Sequence, residues 1–248
     1  MEVCIDCVES AVNAFRGGAA RIELCSALSE GGLTPTPGLL RQVKALVNIP
    51  LFVMIRPRRG DFYYSDDEGN VMLQDLMVLK ECGADGFVFG ALEHDGSVNR
   101  SLCGKLVDLA SPLPCTFHRA FDVSKDAVES LESLISLGFK RLLTSGQCNS
   151  ALEGASLIRM LIERAGDKIT IMPGAGITKG NLEKILEATG AREFHASARK
   201  PCVSKMSYIH DCCKMGKDGN EYELLITDEI IVRAMVDEAK AVWSRKAV

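Results

Sequence analysis

The sequence lacks several features that would direct a protein to a membrane, to nucleic acid or to a nucleotide. It has no apolar run long enough to span a bilayer, no signal peptide at its start and no block of basic residues, and its net charge is −4. We therefore expect a cytosolic protein that binds neither membranes nor nucleic acid. No Gly-x-Gly-x-x-Gly fingerprint follows the first predicted strand, so we expect no nucleotide cofactor.

Aromatic residues are also scarce, at 6% of the chain, whereas cysteine occurs ten times. The cysteines are scattered, and several lie inside predicted strands and helices. A cytosolic protein keeps such cysteines reduced, and most of them are expected to serve as small apolar residues. With 47% hydrophobic residues among 248, the chain can bury a large core without disulfides.

Apolar runs alternate with amphipathic helical stretches along the whole chain. The predicted strands cover residues 2–6, 21–25, 51–56, 86–91, 115–120, 141–145, 169–173 and 193–197. The clearest predicted helices cover residues 75–82, 126–137, 152–165 and 181–189. Near-continuous apolar strands of this kind are typical of a parallel sheet covered by helices.

The even-numbered strands share a local signature. Each is preceded by a glycine, at Gly18, Gly83, Gly138 and Gly190, which suits the left-handed residue just past a helix end. A βαβα unit repeated four times over about 250 residues predicts a single α/β domain, 1–248, folded as a (β/α)8 TIM barrel. An open doubly wound sheet is the alternative, and the regular spacing counts against it.

The alternation stops after the eighth predicted strand. Residues 200–223 are polar, hold Cys212 and Cys213, and show no period, so we interpret them as an irregular loop insertion over the barrel mouth. A closing helix is predicted over residues 228–245, with Thr227 or Asp228 as its N-cap.

Polar side chains cluster where the predicted strands end, and that end of a parallel barrel is where chemistry occurs. His118 is the candidate general acid or base and Glu23 its acidic counterpart, while Arg56 and Arg119 would orient an anion. The full set of candidate catalytic residues is Glu23, Arg56, His118, Arg119, Asp122 and His195. A structural interpretation also stands, in which Glu23 and Arg56 pair on neighbouring strands to close the core.

Glycine-containing loops follow the sixth and seventh predicted strands, and Ser197 and Arg199 follow the eighth. In many barrels the loops after strands seven and eight hold phosphate on backbone amides, which glycine lets approach the anion closely. The candidate anion-binding residues are Ser145, Gly146, Gly174, Gly176, Ser197 and Arg199.

Two cysteines form a third candidate site, for a metal ion. Cys4 and Cys25 lie on adjacent predicted strands. Neighbouring strands are about 4.8 Å apart, and both sulfurs are able to face the barrel interior. Two thiolates at that spacing suit a soft monovalent metal such as Cu(I). The alternative is that both are small core residues.

Several segments closely resemble the CutC copper homeostasis family. They are residues 21–25 (Arg-Ile-Glu-Leu-Cys), 29–35, 54–58, 60–62, 116–122 (Thr-Phe-His-Arg-Ala-Phe-Asp), 143–146, 193–195 and 197–199. The resemblance covers about four fifths of the chain. It implies a TIM barrel, a homo-oligomer (dimer or tetramer), a cytosolic and also nuclear location, and a copper-handling role with Cu(I) at Cys4 and Cys25. The chain departs from the family pattern at Ala20, Arg59 and Ala175, and the last adds a methyl group to the candidate anion loop.

Two functional hypotheses follow. The first is a copper homeostasis protein that binds about one Cu(I) per subunit. The second is a TIM-barrel enzyme that carries out lyase- or isomerase-like acid–base chemistry on a small anionic or phosphorylated metabolite. The second hypothesis depends on His118, Arg119 and Asp122, for which a copper carrier has no evident need.

Overall fold

The structure, a computed structural model, describes residues 1–210 and 221–245. Eight parallel strands form one sheet that curls into a nearly closed barrel, in the order β7-β6-β5-β4-β3-β2-β1-β8. The strands are β1 Glu2–Ile5, β2 Arg21–Leu24, β3 Leu51–Met54, β4 Gly86–Phe89, β5 Cys115–Phe117, β6 Arg141–Thr144, β7 Thr170–Pro173 and β8 His195–Ala196. The predicted TIM barrel is therefore confirmed; β7 ends at the predicted residue, and the other seven strands end one to three residues earlier than the sequence indicates.

Helices follow the strands around the outside. They are α1 Val8–Arg16, α2 Pro37–Leu46, α3 Asp66–Glu81, α4 Arg100–Ala110, α5 Ala127–Leu137, α6 Ala155–Ala165, α7 Leu182–Thr189 and α8 Glu229–Arg245. Local signals explain several of their ends: Ser65 and Glu68 form a capping box at the start of α3, and Asp126 caps α5. Among the residues described, no helix is long and apolar enough to cross a membrane.

The glycines before the even-numbered strands adopt the predicted conformation. Gly18, Gly83, Gly138 and Gly190 have φ angles of 89°, 93°, 88° and 75°. Residues with a Cβ atom rarely adopt this left-handed conformation, whereas glycine does so readily. Glycine at these positions therefore lets each helix end and the chain turn into the next strand.

The segment after β8 differs from the prediction of an irregular loop. Strands β9 (Arg199–Val203) and β10 (Glu223–Thr227) pair as an antiparallel hairpin, and Asp228 caps α8 by accepting from the Ile231 amide at 2.9 Å. Cys212 and Cys213 lie outside the described residues. The hairpin escaped sequence analysis because its strands are mostly exposed and so lack a buried apolar alternation.

The core has two parts. Most buried apolar side chains pack between the sheet and the helices, and a smaller cluster of Cys25, Phe52, Met54 and Val88 fills the barrel interior. Within it, Phe52 packs against the guanidiniums of Arg21 and Arg141, and Met54 lies two residues further towards the carboxyl end of β3.

Candidate functional site

A cavity of about 570 Å³ opens at the carboxyl end of the barrel. Its lining is Cys4, Glu23, Leu28, Glu30, Gly31, Met54, Arg56, Phe62, His118, Arg119, Asp122, Val123, Leu143, Ala175, Gly176, Ile177, Thr178, His195, Ala196, Ser197 and Arg199. All six candidate catalytic residues lie in this lining. The volume is typical of small-molecule sites.

His118 sits where β5 gives way to a short 3-10 turn, Arg119–Val123. Its Nδ1 accepts a hydrogen bond from the Ala120 amide at 3.3 Å, so the neutral ring carries its proton on Nε2. Nε2 has no partner in the described part of the chain. Burial, assisted by the charge of Arg56, lowers the pKa of His118 to about 3. The residue is therefore a neutral imidazole at pH 7 that presents an N–H donor.

Arg56 is a buried cation held by neutral groups. Its guanidinium donates to the carbonyl oxygens of Glu30 at 2.8 Å, Gly32 at 3.1 Å and Gly60 at 3.2 Å. The ion pair between Glu23 and Arg56, which the sequence left open, does not form. Glu23 lies beside Phe52 in the β2–β3 register, and four further residues place Arg56 about 13 Å along the strand.

Asp122 is a positioning residue. Its carboxylate accepts from the Thr144 hydroxyl at 2.5 Å and the Ser145 amide at 3.0 Å, and it pairs with Arg119 at 2.8 Å. These contacts tie the turn after β5 to the loop after β6. Arg119 also donates to the Ser145 hydroxyl at 3.2 Å, and remains partly exposed at the rim.

A group of possible metal ligands lies deeper in the cavity. One ligand atom each from Cys4, Glu23 and His195 lies within 4.8 Å of the others, and all three residues are buried. Strand pairing explains the group, because Cys4 is the β1 neighbour of Glu23 and β8 lies on the other side of β1.

Glu2 orients this group from below. Its Oε1 lies 2.8 Å from His195 Nδ1, and its other oxygen accepts from Arg21. Burial alone would raise the pKa of Glu2, but the His195 hydrogen bond and the Arg21 charge outweigh it and lower the pKa to about 2. A carboxylate on Nδ1 leaves Nε2 of His195 to face Glu23, 3.8 Å away.

The pKa values of Glu23 and His195 are both raised, for different physical reasons. Burial raises the pKa of Glu23, and its Oε1 has no partner among the described residues. For His195, burial is outweighed by Cys4 and Glu23, which raise the pKa well above its usual value.

Cys25 directly follows β2, two residues beyond Glu23, and is fully buried. Its thiol donates to Glu23 Oε2 at 3.4 Å, which connects it to the ligand group. Burial, followed by the charges of Glu23 and Cys4, raises the pKa of Cys25 well above its usual value. The structure thus places the two predicted cysteines diagonally across β1 and β2, with Glu23 between them.

The candidate anion-binding residues divide into two sets. Gly176, Ser197 and Arg199 line the cavity, whereas Ser145, Gly146 and Gly174 lie outside its lining. Those three have local roles: the Ser145 hydroxyl donates to the Cys148 carbonyl, the Gly146 amide to Thr144, and a side chain on Gly174 would collide with Leu143.

Sequence reasoning assigned Glu23 and His195 to acid–base chemistry and did not predict their proximity to Cys4. It also missed Glu2 as the partner of His195. The same-face alternation of Glu2 and Cys4 on the first strand was the available signal, but it needed the barrel closure that places β8 beside β1.

The CutC family model matches residues 1–200. A mouse protein named "Copper homeostasis protein cutC homolog" is 55% identical over 244 residues, which cover 98% of this chain and 90% of the relative. A "family protein CutC" from Parabacteroides distasonis is 44% identical over 239 residues, covering 95% of this chain and 98% of the relative.

Solved structures agree with these matches. The crystal structure of CutC from Streptococcus agalactiae superposes with a TM-score of 0.75 at 32% identity, covering 79% of this chain and 97% of that one. Thiamine phosphate pyrophosphorylase from Pyrococcus furiosus superposes with a TM-score of 0.57 at 16% identity, covering 97% of this chain and 95% of that one, and shows a shared fold alone.

Proposed function

Because the chain belongs to the CutC family, we propose that it takes part in copper homeostasis by binding one Cu(I) per subunit at the base of the cavity. Copper is the cargo of this site. The proposal rests on the convergence of Cys4, Glu23 and His195, whose ligand atoms lie within 4.8 Å of one another, and on the Cys25 thiol, which donates to Glu23.

The donor set fits a soft ion. Thiolate sulfur and imidazole nitrogen are ligands that Cu(I) accepts, whereas carboxylates are preferred by harder cations. We therefore assign Cys4, Cys25 and His195 as the ligands and Glu23 as a neighbouring group that takes up protons. Both thiols must lose their protons on binding, and so must Nε2 of His195, whose pKa is raised, so copper uptake is coupled to proton release.

Glu2 supports the same assignment. Ligating histidines commonly donate their second nitrogen to a carboxylate, which fixes the ring and raises its basicity. Glu2 occupies that position on Nδ1 of His195 at 2.8 Å. Only Nε2 is then available to an ion in the cavity.

A Cu(I) titration against the competing chelator bicinchoninate, under reducing and anaerobic conditions, tests the proposal. We expect one Cu(I) per chain, and a loss of affinity beyond about 100-fold in the Cys4→Ser, Cys25→Ser double variant, since even outer ligand partners contribute 10- to 100-fold. Cys103→Ser is the matched control, because Cys103 is equally buried but lies in α4. Unchanged affinity in the double variant would overturn the proposal.

We also propose a cytosolic and nuclear homo-oligomer, a dimer or tetramer. Apolar side chains on and beside the β9–β10 hairpin support association: Val203 is 80% exposed and Leu224 51%. Light scattering of the purified chain checks the oligomer, and a monomer at micromolar concentration would contradict it. Fractionation of cells that express the chain checks its location.

A further inference from the structure

The cavity has a second wall that the copper site does not use. The ligand group lies on β1, β2 and β8, which are neighbours in the sheet. Arg56 follows β3, the strand next to β2, and His118 follows β5, on the far side of the barrel from β1. Both line the same cavity.

Arg56 is a buried charge without a counter-ion. It is 6% exposed, and the partners of its guanidinium are three carbonyl oxygens. In the described part of the chain no carboxylate pairs with it, whereas Arg21 at the other end of the barrel pairs with two. A buried cation is costly unless an anion compensates it, and the cavity is the place from which an anion reaches Arg56.

His118 adds a neutral donor to the same wall. Its side chain is buried, its Nδ1 is occupied by the Ala120 amide, and its Nε2–H has no partner in residues 1–210 and 221–245. A buried N–H without a partner is rare in native proteins and commonly marks a functional position. A ligand oxygen would satisfy it.

Phe62 joins the two groups. Its ring centroid lies 4.9 Å from the His118 ring and 5.1 Å from the Arg56 guanidinium carbon. An apolar ring this close to both groups lowers the local dielectric, which strengthens hydrogen bonds to a bound anion. Two further guanidiniums, of Arg119 and Arg199, lie at the rim of the same cavity.

We propose that this wall, formed by Arg56, Phe62 and His118 with Arg119 and Arg199 at the rim, binds a small organic anion that carries a carboxylate or phosphate group. The acidic oxygens contact the guanidinium of Arg56 and Nε2–H of His118. The organic part occupies the apolar side of the cavity at Leu28, Val123 and Ile177. A volume of about 570 Å³ exceeds the need of an inorganic ion and suits a metabolite.

This inference is independent of copper. None of the residues in the wall belongs to the Cys4, Glu23 and His195 group. The metal-free protein is therefore expected to bind the anion, and so is the Cys4→Ser, Cys25→Ser double variant.

The test uses metal-free, reduced protein labelled with 15N in histidine, titrated with malonate, phosphoglycolate and inorganic phosphate. The chain has four histidines, so side-chain spectra assign readily. We expect the Nε2–H signal of His118 to shift in a saturable manner with malonate or phosphoglycolate, while His94 stays unchanged. Tighter binding of malonate identifies a carboxylate ligand, and tighter binding of phosphoglycolate a phosphate ester.

Variants give the second arm of the test. His118→Phe and Arg199→Met are expected to weaken binding of the better probe by about ten-fold each, because each removes a hydrogen bond or charge in a dry site. His94→Phe, an exposed histidine outside the lining, is the control. The proposal fails if no probe shifts His118, if inorganic phosphate binds as tightly as both organic anions, or if both variants bind like wild type.

Discussion

The two ends of the barrel treat buried charge in opposite ways. At the amino end, Arg21 pairs with Glu2 and with Glu193 at 2.7 Å, and Arg141 reaches the same Glu193 at 2.9 Å. Both guanidiniums also lie over the Phe52 ring, at 5.0 and 5.4 Å. At the carboxyl end, the Arg56 guanidinium donates hydrogen bonds to carbonyl oxygens, and His118 Nε2 has no hydrogen-bond partner among the described residues. At the amino end the buried guanidiniums are neutralised by carboxylates, whereas the buried guanidinium of Arg56 at the carboxyl end is held by neutral oxygens.

The two ends also differ in which residues other than glycine adopt positive φ angles. The turns into β2, β4, β6 and β8 at the amino end place glycine at left-handed positions. In the described residues, the four non-glycine residues with positive φ follow strands at the carboxyl end: Ala27, Gln147, Ala175 and Ala198. Strained backbone of this kind is characteristic of functional loops.

The largest expected loss of stability comes from removing the Arg21 ion pairs at the amino end of the barrel. Arg21→Met removes the guanidinium that pairs with both buried Glu2 and Glu193, which should cost about 3–5 kcal/mol of unfolding free energy although Glu2 keeps its contact with His195. Arg56→Met removes an uncompensated charge and should cost less than half as much. Urea unfolding of both variants at pH 7 measures the difference, and equal losses would contradict the contrast between the two ends.

As the pH falls, groups at the two ends should lose their contributions to folding stability over different pH ranges. His118 has a folded pKa of about 3, whereas the unfolded chain takes up that proton near pH 6.5. Its contribution to stability is therefore complete above pH 6.5 and is lost as the pH falls from 6.5 towards 3. Glu2 has a folded pKa of about 2, so its contribution to stability is complete above about pH 4.5 and is lost as the pH falls below that value.

Between pH 6 and 5 the wild type should thus lose about 1 kcal/mol more stability than His118→Phe. Urea unfolding at both pH values in the two proteins measures this. Parallel pH profiles would mean that His118 takes up its proton in the folded state near pH 6.5, contrary to its buried, neutral setting.

The smallest effects concern the loops. Gly138→Ala introduces a side chain at φ 88° with no atom within 4 Å, so its cost of about 1–2 kcal/mol comes from the backbone alone. Ala175→Gly, at φ 79°, relieves such strain and should stabilise by about 0.5 kcal/mol. Thermal unfolding of the two variants compares them, and a loss of stability in Ala175→Gly would show that its methyl group packs usefully.

Much of this arrangement could be predicted because it is local. The eight strands follow from short apolar runs, and the glycine positions follow from how helices end. The end of β5 was overestimated, since the His118 ring caps a turn that no apolar pattern reveals. The β9–β10 hairpin was missed because exposed strands carry little periodicity.

The candidate site was predicted as a set of residues, and its internal partners were not. All six proposed catalytic residues line one cavity, because they lie in or just after strands that end at the same edge. The expected pair of Glu23 and Arg56 was wrong because strand register places them at different heights. Glu23 faces Cys4 and His195 instead.

The sequence by itself therefore determined the barrel, its turns and the edge at which polar groups gather, since each depends on neighbouring residues. Tertiary structure decided which charges are neutralised. His195 meets Glu2 across 193 positions of chain only because barrel closure places β8 beside β1. Arg56 and His118, which follow β3 and β5, have no paired carboxylate among the described residues, whereas Glu2 and Glu23 both face His195.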